Sequence, residues 1–217
     1  MSQHADATKG LAARLREGTA AAHKDAERTA FIKQFFKGQL KQDEYARFLA
    51  GLYPVYDAME YALTRLRDHA AVGAFYMPEM FRRDALANDL RFFVGADWHP
   101  TRAATPGARA FAHRVAEVAN HDPVLLVAHV YTRFLGDLSG GQMMGRTAQK
   151  SLGLDSDEGL SFYRFDGIAD VDAFKTRFRA KLDAMPISAA DQERVIEEAR
   201  LSFALNNGLT AEVTLAA

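Results

Sequence analysis

Leu135-Gly136-Asp137-Leu138-Ser139-Gly140-Gly141-Gln142 is the stretch on which both the fold and the chemistry of this chain turn. It lies inside what reads as one long helix. The run Pro123-Val124-Leu125-Leu126-Val127-Ala128-His129-Val130 leads in, Gln142-Met143-Met144 leads out, and no proline intervenes. Each interior glycine disfavours a helix by roughly 1 kcal/mol relative to alanine, so Gly136, Gly140 and Gly141 together cost about 3 kcal/mol. A helix carrying that cost needs its backbone to bend or to approach something closely. Two readings stay open at this level. Gly136 and Gly140, four residues apart on one face, admit a close helix–helix crossing; they equally offer bare backbone to a flat, bulky ligand. Asp137, one position round, either pairs with Arg133 four residues earlier or orders water and protons near a reacting group.

Outward from this stretch, apolar residues recur at spacings of three and four. The spacing predicts helices over 11–26, 29–36, 43–66, 82–93, 106–118, 123–152, 171–184 and 189–209. Pro54 should kink or split the third of these. Pro78 sits in a break, and Trp98-His99-Pro100 reads as a loop. Asp122-Pro123 resembles an N-cap and first-turn proline for the glycine-bearing helix, and Ser188 is a plausible cap for the last one. Residues 153–167 read as loop, with Phe162-Tyr163-Arg164-Phe165 a brief extended piece. Strand-type alternation is nearly absent, no linker-like stretch interrupts the pattern, and no internal repeat is found. The expectation is an all-α single domain over 1–217, with 1–8 flexible.

Composition removes several classes of function. A formal net charge of −1 gives no electrostatic footprint for nucleic acid. The absence of cysteine excludes disulfides, thiolate metal sites and cysteine nucleophiles. No secretory signal precedes the first helix and no apolar run is long enough to span a bilayer, so a cytoplasmic protein without a membrane anchor is expected. The chain has neither a Gly-rich phosphate loop nor a Gly-x-Ser-x-Gly elbow. Its seven histidines form no paired metal-ligand motif. A lone histidine can still serve as an axial ligand to haem iron. His23 follows Ala20-Ala21-Ala22 and precedes Glu27 by four residues, a small-residue setting that admits a large ring system; a structural surface role is the alternative. His129, in an apolar run, reads as a hydrogen-bonded core residue. Lys175 and Arg179 share a helical face that is either solvated or able to hold two carboxylates. Tyr53, Tyr56, Tyr131, Phe134 and Phe203 read first as core.

Three separated segments, in order, closely resemble the haem oxygenases. Leu126 to Gln142 is similar to that family's distal-helix signature. Leu15-Arg16-Glu17-Gly18-Thr19-Ala20-Ala21-Ala22-His23 is similar to its proximal segment, and Arg194-Val195-Ile196-Glu197-Glu198-Ala199 through Phe203-Ala204-Leu205-Asn206 to its last helix. The resemblance implies a helical fold with haem b, both substrate and cofactor, held between a proximal helix and a kinked distal helix. It implies dioxygen-dependent cleavage at the α-meso carbon to biliverdin IXα, carbon monoxide and ferrous iron. Electrons would come from a separate reductase or ferredoxin, and the protein would be a monomer of the soluble bacterial type.

By the same resemblance His23 is the iron ligand with Glu27 near it. Gly136 and Gly140 form the bare distal face, Gly141 helps the bend, and Asp137 holds the proton-delivering water. Thr132, Arg133, Tyr56 and Asn206 extend that network. Arg16, Tyr131, Lys175 and Arg179 contact the propionates, Phe203 lines the pocket, and Ser139 belongs to the same haem-facing signature. Arg16 stands where many relatives have lysine, and Gly145 is a further glycine beyond the signature with no functional account. A haem carrier or sensor on the same fold is the main rival. A thiamin-degrading helical enzyme would need a cysteine nucleophile, which is absent.

Overall fold

The computed structural model describes residues 9–99 and 104–215; the expectation for 1–8 and the Pro100 end of the predicted loop lie outside them. Ten α-helices carry the described chain, and no strand occurs among the described residues. They are α1 (Leu11–Gly18), α2 (Ala20–Glu27), α3 (Ala30–Phe36), α4 (Gln42–Arg65), α5 (Arg83–Val94), α6 (Pro106–His121), α7 (Leu126–Val130), α8 (Gly136–Leu152), α9 (Val171–Asp183) and α10 (Ala189–Leu215). Short 3₁₀ turns at Gly73–Phe75, Pro78–Met80, Pro123–Leu125 and Ser161–Tyr163 join them.

Local signals set most boundaries. Thr105 Oγ1 accepts the Ala108 N–H, Asp170 Oδ1 accepts that of Ala173, and Ser188 Oγ accepts that of Asp191, each satisfying a donor in a first helical turn. Glu44 reaches back to the Lys41 N–H at 2.8 Å and fixes the start of α4. Gly153, at φ 64°, closes α8 in the left-handed conformation that glycine adopts without strain. The apolar faces meet in one core that includes Leu15, Phe31, Phe35, Phe48, Tyr56, Phe111, Phe134, Phe162 and Phe178. Helix α4 packs against α5 and α6, while α10 crosses α1, α2, α4, α6 and α7.

Four details differ from the sequence expectation. The first predicted helix is broken at Thr19, whose hydroxyl bonds the Leu15 carbonyl at 2.7 Å beside the helix-weakening Gly18. Gly18 is required by tertiary contact: a Cβ there would lie 2.6 Å from Ile196 Cγ2 of α10. Pro54 does not split α4, which runs unbroken for 24 residues because both of its flanks are locked into the core. Asp122 makes no side-chain cap, and Pro123 opens a 3₁₀ turn rather than the α-helix itself. Residues 161–163 form a 3₁₀ turn, not an extended piece. Asp89, fully buried on α5, accepts the Ser161 and Phe162 N–H groups at 2.8 Å each and pulls them into a turn.

Candidate haem site

The glycine stretch does bend the ladder, just ahead of the first glycine. Between α7 and α8, Tyr131–Leu135 forms a π-helical segment, an over-wide turn often found at functional sites. It presents Tyr131, Thr132 and Arg133 on the way into Gly136. A Cβ placed on Gly136 or on Gly140 meets nothing within 4 Å, so these two border open space rather than a neighbouring helix. The close-crossing reading therefore fails for that pair. A tight approach occurs instead at Gly145, whose Cβ position lies 3.2 Å from the Tyr163 side chain, while that of Gly141 is in ordinary contact with it at 3.6 Å. Gly141 thus faces packed protein rather than the open space, and Gly145 acquires an account that the sequence did not provide. Ser139 is exposed beside Gly140.

Asp137 sits at the centre of a polar cluster. Arg133 donates to it from Nη2 at 3.0 Å, and the Tyr56 hydroxyl of α4 donates to its other oxygen. Arg133 also donates from Nε to the Tyr56 oxygen at 3.2 Å and from Nη1 to Asn206 Oδ1 of α10 at 2.8 Å. The Arg133 and Asp137 side chains are only 12% and 13% exposed. Burial pushes the Asp137 carboxyl well above the usual carboxylate range and lowers Arg133 to about 10, so the guanidinium stays charged at neutral pH. The local ion pair and the wider network suggested by the sequence coexist.

The last helix holds this cluster through a ladder of four-residue period. Arg194 pairs with Asp122, Glu198 meets His129 Nε2 at 2.9 Å, Ser202 Oγ lies 2.6 Å from Thr132 Oγ1, and Asn206 takes Arg133. Glu198 also receives a two-pronged contact from Arg114 of α6 at 2.9 and 2.7 Å. Burial alone would raise the Glu198 carboxyl; the His129 and Arg114 hydrogen bonds outweigh it and hold the group at about 2. His129 is the buried, hydrogen-bonded core residue that its apolar run predicts. Glu198 and Ser202 were not singled out from the sequence. The signal that could have found them is polar residues recurring every four positions on a helix face that also carries Val195 and Ala199.

His23 lies on a helix built for a different kind of neighbour. None of α2's eight residues is buried, although four are alanines. The imidazole is 61% exposed, with Nδ1 3.6 Å from Glu27 Oε1 and the Phe203 ring of α10 edge-on at 5.8 Å. The joint between proximal and distal segments is Tyr131, whose hydroxyl is influenced by Thr19, Arg179 and Arg16; burial raises it despite them. Lys175, one turn before Arg179 on α9, pairs with Asp172 at 3.3 Å. An unburied alanine helix bearing an open imidazole, together with a glycine wall that a Cβ would not fill, fits a large flat ring carrying a metal. Arg16 and Arg179 beside Tyr131 suit anionic substituents. Thiolate and multi-carboxylate metal chemistry finds no counterpart, since no cluster of three metal-ligating side chains occurs among the described residues.

Fold and site together define an all-helical protein shaped for a planar, metal-bearing ligand. The family model described as heme oxygenase matches residues 9–212. The chain is 41% identical over 196 residues to Heme oxygenase 1 of Synechocystis sp., covering 90% of this chain and 81% of that protein. It is 38% identical over 203 residues to the heme oxygenase of Porphyra purpurea, covering 94% and 86%. Among solved structures, Synechocystis heme oxygenase-1 in complex with heme superposes with a TM-score of 0.91 at 40% identity, covering 94% of this chain and 92% of that one. The heme oxygenase of Leptospira interrogans gives 0.91 at 39% identity, covering 94% and 100%. The chain belongs to the heme oxygenase family, and its fold and enzyme class are those of that family. Among the described residues no helix is long and apolar enough to cross a membrane.

Proposed function

We propose that the protein cleaves haem with dioxygen at the α-meso carbon, giving biliverdin IXα, carbon monoxide and ferrous iron. One observation carries the reading. An open imidazole on an uncovered helix and a bare glycine wall occur in one fold with a buried carboxylate–guanidinium cluster beside that wall. Haem, when bound, supplies both the iron at which dioxygen is activated and the ring that is opened. His23 would hold the iron through Nε2, because Glu27 near Nδ1 favours the N–H on that side. An imidazole lacks the strong electron push of a thiolate toward O–O cleavage.

Gly136 and Gly140 would let the α8 backbone approach the ring while keeping any acid or base side chain away from that face. Proton delivery then falls to Asp137 acting through water. Arg133 and Tyr56 fix its carboxyl, and Thr132 and Asn206 brace Arg133 and the π-helical turn. Arg16, Tyr131, Lys175 and Arg179 would take the two propionates and so set the in-plane rotation that selects the α position. Phe203 would close the pocket beside His23, and Ser139 would border its rim. The whole chain, 1–217, is read as one domain. It is a cytoplasmic monomer that draws electrons from a separate reductase or ferredoxin.

Hemin titration of the purified protein, followed by reductant and air, tests this reading. A stoichiometric Soret band that decays as biliverdin absorbance grows is expected. A stable band that merely autoxidises would indicate a haem carrier, and failure to bind hemin stoichiometrically would overturn the proposal.

A further inference from the structure

Helix α8 has a second flank. Asp137, Gly141 and Gly145 recur every four residues and so share one stripe of its surface. Tyr163 lies along that stripe: a Cβ at Gly145 would come 3.2 Å from Tyr163 Cβ and 3.4 Å from Cδ2, and one at Gly141 would come 3.6 Å from Cδ1. Gly145 makes room for the ring, and the turn that carries it is pinned by Asp89. The Tyr163 hydroxyl is buried and has no hydrogen-bond partner, and the same is true of Tyr45 on α4. The two phenols approach one another closely enough to perturb each other as hydrogen-bonding neighbours, yet neither hydroxyl reaches a sound hydrogen-bond geometry. Tyr163 also feels Asp137 and Arg133 from the distal helix and Asp89 from α5; Tyr56 approaches Asp137 from α4.

Buried hydroxyls in folded proteins are overwhelmingly paired, and where protein partners fail an internal water with two to four polar neighbours takes their place. Two adjacent orphan phenols beside a carboxylate cluster meet that description. We propose that the Tyr45 and Tyr163 hydroxyls hold a buried water that ties them to the Asp137–Arg133–Tyr56 cluster, making Tyr163 a positioning residue for the Asp137 carboxyl. This deepens the proposed function and rests on Asp137 acting as its proton-ordering group. The link donates toward the carboxylate and favours its ionised form, countering burial.

Tyr163→Phe removes the hydroxyl and keeps the ring, so packing against Gly141 and Gly145 is preserved. In ligand-free protein with ¹³C-labelled aspartate carboxyls, and with Asp137→Asn to assign the resonance, the variant should raise the Asp137 titration midpoint by about half a unit or more. Tyr45→Phe should move it the same way by less. Melting temperature and hemin stoichiometry should stay at the wild-type values. An unmoved midpoint in both variants overturns the proposal, as does an atomic-resolution crystal structure in which the two phenols bond each other directly. A raised midpoint combined with undiminished biliverdin yield from Asp137→Ala supports the link and overturns instead the catalytic reading of Asp137.

Discussion

At the scale of single residues the site divides into one open group and one locked one. His23 projects from an uncovered helix with Glu27 and Phe203 near it, whereas Asp137 is held by two partners and nearly buried. That contrast separates their mutants. His23→Ala should abolish the histidine-ligated hemin spectrum and regain it on addition of imidazole, because the surrounding alanines leave room for the free base. If His129→Ala does this instead, the ligand assignment is wrong; His129, sealed against Glu198, should affect stability only. Asp137→Ala should retain hemin binding and lose biliverdin formation by about a hundredfold or more, the scale of a lost general acid–base contribution. Product chromatography with single-turnover spectra provides the measure, and an unaltered yield would remove the carboxyl from the mechanism.

At the scale of elements, the distal helix assigns its glycines to two different tasks. Gly136 and Gly140 face open space, so a methyl group there meets no protein atom within 4 Å. Gly140→Ala is therefore expected to stabilise the ligand-free protein by up to about 1 kcal/mol, through helix propensity alone, while weakening hemin affinity and turnover. Gly145→Ala should do the reverse: hemin affinity falls little, but the ligand-free protein loses stability as the added methyl presses on Tyr163. Paired thermal melts and hemin titrations distinguish the two, and parallel behaviour of both variants would show that the open face is not a ligand surface. Helix breaks follow similar logic. Thr19 ends α1 because its hydroxyl competes for the Leu15 carbonyl, while the stronger breaker Pro54 leaves α4 whole because packing on both flanks outweighs one missing N–H.

At the scale of the whole molecule, α10 acts as the brace that registers the distal helix against the core. Its ladder from Arg194 to Asn206 spans the approach to the glycine stretch, and Glu198 is the rung with the largest pH consequence. Its carboxyl sits at about 2 in the folded protein against an ordinary 4.5. A depressed carboxyl stabilises the fold above its unfolded value and loses that contribution as pH falls toward the folded one. The 2.5-unit difference corresponds to roughly 3 kcal/mol, present above about pH 4.5 and lost by about pH 2. Glu198→Gln should accordingly flatten the decline of stability across that window relative to wild type. Urea unfolding at stepped pH measures it, and identical slopes for the two proteins would rule out Glu198 as the acid-sensitive rung.

How much of this was readable in advance follows from range. Periodicity, caps and glycine cost are local, so the all-helical architecture, the cap at Ser188, the buried character of His129 and the anomaly of the distal stretch could be read from the chain itself. The motifs carried the family resemblance for the same reason: their residues are contiguous. What required the tertiary structure were the partnerships between residues far apart in sequence. Glycines of identical local cost were sorted into an open wall at Gly136 and Gly140 and a packing surface at Gly141 and Gly145 by where Tyr163 lies, and its turn is held at Ser161 by Asp89, 72 residues from Ser161. Ser202 and Glu198 gained meaning only once α10 lay along the distal helix. The sequence determined which elements form and which stretch is costly; the tertiary structure decided what that cost serves, because helix propensity depends on neighbours within a turn while open space beside a backbone depends on every element packed around it.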